Sequence, residues 1–107
     1  MNQSELDGAP LRLQILAILQ EAAKDCEWMS DFRLVALTGA YVGTVGARRR
    51  DISKPQFGGY NKAAPWLGGH TIKHRVRGGT WEYLYEWREP FDPGATAGEQ
   101  LVMEAVA

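Results

Sequence analysis

One cysteine, Cys26, is all the chain has in 107 residues. That excludes an internal disulfide and a cysteine-rich metal site. Its apolar, helix-forming surroundings predict a small buried or half-buried residue rather than a reactive thiol. Long hydrophobic runs are also missing: the best stretch, LRLQILAILQ, is broken by Arg12, Gln14 and Gln20, too short and too interrupted to span a bilayer. The opening MNQSELDGAP is polar and has no signal-peptide character, so a soluble, cytoplasmic protein is expected. Catalytic equipment is sparse. His70 and His74 lie four apart on a predicted strand, without a cysteine cluster or paired carboxylates, and neither a phosphate loop nor a nucleophile motif occurs. No enzyme, no metal, no cofactor and no small-molecule ligand is expected.

What is present points elsewhere. A hydrophobic content of 45% with four Trp and four Tyr is incompatible with a wholly disordered chain, and the length suits one domain. The formal net charge of −1 hides a segregated distribution. From Arg48 to Arg77 there are eight basic residues (Arg48, Arg49, Arg50, Lys54, Lys62, Lys73, Arg75 and Arg77) against one acid, Asp51. The rest of the chain is acidic. Such a split is expected where one face meets a polyanion and the remainder keeps the protein in solution.

Residues 1–9 read as a polar lead-in. Pro10 suits the first turn of a helix, and Leu11, Ile15, Ile18, Leu19 and Ala22 recur at helical spacing as far as Lys24. Ser30 is a predicted N-cap for a short second helix from Asp31 to about Leu37, with Gly39 as its stop. A third helix runs from about Tyr41 to Ile52, before Pro55. Val42, Val45 and Ile52 mark its buried stripe. Arg49 falls in the same stripe, so its guanidinium is expected to escape or to meet an acid of the first two helices. Residues 54–69 carry two Pro and four Gly, in FGGY and LGGH, and read as a loop with an insertion or a small local duplication.

HTIKHRVRGGTWEYLYEW predicts a hairpin with a type I′ turn at Gly78-Gly79. That turn pairs Arg77 with Thr80, Val76 with Trp81, Arg75 with Glu82, His74 with Tyr83, Lys73 with Leu84 and Ile72 with Tyr85. Apolar and charged residues then separate onto opposite faces, which fixes the register. Residues 90–107 have loop chemistry, then an acidic, weakly helical end from about Thr96; a disordered tail and a short helix packed on a partner subunit both remain open.

The order of elements, with ARRRDI followed by FGG and GGTWEYL and with Gly39 six residues before Val45, resembles a small bacterial or bacteriophage winged helix-turn-helix protein. The resemblance covers about residues 10–88 and implies a domain of residues 10–89. It differs at Arg49, where that pattern is usually apolar, and in the longer connection from Tyr60 to Gly69. It implies an α+β fold, three helices followed by a β-hairpin wing, and sequence-specific binding to double-stranded DNA. The protein would be a small transcriptional regulator or an accessory factor, as a homodimer or cooperatively on repeated sites. The third helix would lie in the major groove: Gly43, Gly46 and Ala47 give clearance, Thr44 meets a base edge or phosphate, and Arg48 and Arg50 fork onto guanine or phosphate. Lys54 would extend the basic set, and Lys73, Arg75 and Arg77 would serve the wing, Arg75 with a rival ion-pair partner in Glu82. Two other readings compete. One is an adaptor docking an acidic protein through the same basic face. The other is base stacking of single strands on Trp81, Tyr83 and Tyr85, residues also suited to packing the hairpin against Leu16 and Leu19.

Overall fold

Helix α1 (Leu11–Lys24) starts where Pro10, lacking an N–H, loses nothing. The Pro10 carbonyl accepts from the Leu13 and Gln14 amides at 3.0 and 3.1 Å. In this computed structural model, which describes residues 9–91, Ile15, Leu19 and Ala22 of α1 are buried and Leu11, Leu16 and Ile18 pack beside them. The expectations for residues 1–8 and for the segment from residue 92 onward lie outside the described residues.

The far end of α1 corrects the reading of Cys26. Its amide donates to the Ala23 carbonyl at 3.0 Å, and the Glu27 amide donates to the Ala22 carbonyl at 2.9 Å. This is a Schellman closure, which requires a left-handed residue at the place Cys26 occupies. Cys26 accordingly has φ +53 and is exposed; the chain's reversal turns it away from the core that its neighbours enter. A side chain in that conformation costs roughly 1–2 kcal/mol, while glycine would return only about 0.5 kcal/mol through a freer unfolded chain. Cys26→Gly is therefore expected to raise stability by about 0.5–1.5 kcal/mol, read as a later urea midpoint with unchanged slope.

Strand β1 (Met29–Ser30) is followed directly by α2 (Asp31–Thr38), capped by the Ser30 hydroxyl, which accepts from the Arg33 amide at 3.1 Å, and ended by Gly39. Helix α3 (Val42–Ile52) buries Val45 and Ile52 against α1 and α2. Val42 was expected on that side but is 41% exposed, because the opening of α3 from Tyr41 to Thr44 stands clear of the core.

The 54–69 segment is more than a loop. Two single-turn 3-10 segments, Pro55–Phe57 and Pro65–Leu67, each lead into a glycine pair. The Tyr60 amide donates to the His70 carbonyl and the His70 amide to the Gly58 carbonyl, both at 3.0 Å. A Cβ on Gly69 would lie 2.4 Å from the Tyr60 nitrogen. The two pairs thus let two stretches of backbone touch, which accounts for both without a repeat.

Strands β2 (Gly69–Arg77) and β3 (Thr80–Arg88) pair in the register that the alternation predicts, through positive φ at Gly78 and Gly79. Strand β1 adds to β3, with Met29 opposite Tyr83, giving a three-stranded antiparallel sheet of order β1-β3-β2. Two residues are too few for a strand to be read from their pattern. The whole is α+β, with three helices on one face of the sheet. Ile72 and Tyr85 pack against the core, and the Tyr85 hydroxyl lies 2.7 Å from His70 Nδ1. Burial, and then the Arg12 charge, lower the His70 pKa from its ordinary value.

Candidate nucleic-acid interface

Three consecutive arginines on α3 take three directions. Arg49 turns inward: its Nε and Nη2 donate to the two Asp31 carboxylate oxygens at 2.7 and 3.0 Å. Its Cζ lies 3.6 Å from the centre of the Tyr83 ring. The stripe position of Arg49 and the first-turn position of Asp31 on α2 bring the pair together, as the helical wheel predicts. Arg48 and Lys54 flank Asp51, at 3.3 and 2.8 Å. The hydrogen bond from Lys54 lowers the Asp51 pKa, against desolvation and with help from Arg48. At neutral pH this trio keeps one positive charge. Arg50 is exposed and makes no ion pair among the described residues.

Ahead of these side chains, Tyr41, Val42, Gly43 and Thr44 are exposed and Ala47 is half-buried. No side chain caps α3 and its first turn has no acid, so early backbone N–H groups remain available to an anion. Gly43, Thr44, Ala47 and Arg50 therefore share one accessible stretch of helix with Arg48 at its edge. Tyr41, 78% exposed at the start of α3, was not singled out from the sequence; an aromatic residue before a helix has no pattern that reveals its exposure.

On the hairpin, the cations sort differently. Lys73 pairs with Glu86 at 2.7 Å and Arg75 with Glu82 at 2.9 Å, and Arg75 also stacks on Trp28 at 4.3 Å. The Arg75 partnership follows from the register. Exposed pairs of this kind are worth little in stability, but they reduce the positive charge of the outer face. Arg77, at the tip, has no ion pair among the described residues. The charge segregation read along the chain is thus partly cancelled in space, because β3 supplies the acids that the basic segment lacks.

The inner face of the hairpin departs from expectation. Beyond Tyr83 the apolar side chains are not packed against α1: His74 is exposed, as are Val76 (55%) and Trp81 (53%). The strands simply run past the helices that cover their base. At the base of the same face, an open groove whose lining includes Leu13, Leu16, Ala17, Leu37, Tyr85 and Trp87 contains none of the candidate α3 and hairpin contact residues.

Among the described residues, no helix is long and apolar enough to cross a membrane, and no three His, Cys, Asp or Glu side chains gather as a metal site. No protein-family model, curated protein or solved structure matches the chain.

Proposed function

We propose that the chain is a winged helix-turn-helix protein that binds double-stranded DNA. Helix α3 lies in the major groove and the β2–β3 hairpin is the wing. Three helices followed by an antiparallel hairpin are compatible with that layout. The biological role implied is a small bacterial or bacteriophage-type regulator or accessory factor, acting in the cytoplasm as a homodimer or cooperatively on repeated sites. Gly43, Thr44, Ala47, Arg48 and Arg50 would approach the bases and phosphates, with Lys54 and Arg77 on the backbone. The outer-face cations Lys73 and Arg75 contribute less, since each already faces a carboxylate.

The observation that carries this reading is Gly43. A glycine in a helix costs up to about 1 kcal/mol relative to alanine, less at Gly43 because it is the second residue of α3, and nothing in the fold requires it. A Cβ there would meet only the Tyr41 ring, at 3.4 and 3.6 Å. Clearance for a ligand is the remaining reason for it. Gly43→Ala is therefore expected to raise stability by about 0.5–1 kcal/mol while weakening duplex binding at least tenfold, measured by thermal melting and by mobility shift on random-pool-selected duplexes. A variant both more stable and equally avid would remove the support.

Binding should fall steeply with salt, each phosphate contact adding about 0.9 to the logarithmic slope. Absence of any shift on any duplex at low salt would end the proposal. An adaptor for an acidic protein would respond to loss of Arg48, Arg50 and Arg77 but hardly to replacement of Thr44 and Ala47.

A further inference from the structure

The inner face of the hairpin carries, from base to tip, Ile72 and Tyr85, then His74 and Tyr83, then Val76 and Trp81. Each pair has a different cover. The core covers the first, and the Arg49 guanidinium covers Tyr83 in the second. Nothing among the described residues covers His74, Val76 or Trp81, although the last two expose more than half their surface. The His74 and Trp81 rings lie 5.4 Å apart at 50°, so the tip presents two neighbouring aromatic rings beside an aliphatic one. The turn itself does not need them, since Gly78 and Gly79 provide its geometry.

We infer that this aromatic tip, rather than the basic outer face, is the part of the wing that engages DNA. Trp81, supported by His74 and Val76, stacks on a base at a kinked step of the duplex flanking the α3 contact. The inference rests on the DNA-binding reading above. Three observations favour that occupant. The exposed face carries no acid, whereas the outer face carries Glu82 and Glu86 against its lysine and arginine. Arg77, next to Val76 in the strand but facing the other side, has no ion pair among the described residues, so the tip keeps a positive charge for a phosphate. Finally, α3 packs against this same face through the Arg49–Tyr83 contact, so the tip and α3 lie on one side of the sheet. Apolar side chains wedged into a base step open it and kink the helix, and base–aromatic stacking supplies compensating energy.

The test compares full-length wild type, Trp81→Ala, Trp81→Phe and Arg50→Ala on a random-pool-selected duplex. The duplex carries 2-aminopurine at successive flanking positions. Trp81→Ala is expected to weaken binding about 10- to 100-fold, to remove the rise in 2-aminopurine fluorescence that marks an unstacked base, and to straighten the DNA in a permuted-fragment bending assay. Trp81→Phe should retain most of all three. The thermal midpoint of Trp81→Ala should stay near that of wild type. If Trp81→Ala binds and bends DNA as wild type does while Arg50→Ala loses binding, the aromatic tip is not a DNA contact and the reading of α3 survives. If wild type binds no duplex, that reading itself fails. Tryptophan quenching by oligo-dT as strong as by duplex would overturn the duplex assignment, and a change of oligomeric state in Trp81→Ala would make the tip a subunit contact instead.

Discussion

Arg49→Ala is expected to destabilise the protein by about 3 kcal/mol, at the lower end of what losing one partner of a buried ion pair costs. The lower end applies because the Asp31 side chain keeps 21% of its surface exposed, against 10% for Arg49. Three contacts disappear together: two charge-assisted hydrogen bonds to Asp31 and the stack on Tyr83. They join the two consecutive helices α2 and α3 to β3, which is far from both along the chain. A domain of this size has roughly 4–12 kcal/mol in total at 0.05–0.15 kcal/mol per residue, so a large part of the margin is lost. Arg49→Lys should recover only part, since an ammonium can neither fork onto the carboxylate nor stack as a plane. The neighbouring Arg50→Ala should change stability by less than about 0.5 kcal/mol yet weaken DNA binding. Urea denaturation of the three variants provides the check; equal midpoints for Arg49→Ala and wild type would mean that the pair holds nothing together.

Gly59→Ala is the second large effect, and its origin is purely steric. A Cβ at position 59 would lie 2.1 Å from the Ser53 carbonyl carbon, 2.2 Å from its oxygen and 2.6 Å from the Lys54 nitrogen. These are backbone atoms at the end of α3, so no side-chain rotation can relieve the clash. Either the segment lifts away, losing the Gly59 hydrogen bond to the Lys54 carbonyl and the bridge to His70, or α3 frays from its C-terminus. The expected cost is about 3 kcal/mol or more, at or above the upper range for overpacking, and a melting temperature lower by more than about 12 °C. Gly78→Ala makes the contrast. Its Cβ would meet nothing within 4 Å, so only the left-handed backbone resists, at roughly 1–2 kcal/mol. Similar losses from the two variants would show that the close approach at Gly59 is not what holds the 54–69 segment.

Local chemistry settled much of this molecule before any contact was known. Ser30, Gly39 and Pro55 bound the helices as their capping and φ preferences dictate, and the hairpin register follows because a slip of one residue would exchange its charged and apolar faces. The inward position of Arg49 follows from its spacing after Val45. Periodicity, however, says which face a residue occupies and not how far along that face a cover extends. The core that covers Ile72 and Tyr85 at the base of the hairpin stops short of its tip, and so Trp81 and Val76 are left in water. Ion pairing is equally remote from local pattern. Lys73 and Arg75 lie in a stretch without acids, and their charges are answered from the returning strand. Cys26 belongs to the same class: it follows an apolar helical run, but the path of the chain into β1 demands a left-handed reversal that turns it outward. Short-range preferences choose the elements and their faces; coverage and charge compensation depend on distances between residues far apart in the chain, which exist once the elements have packed.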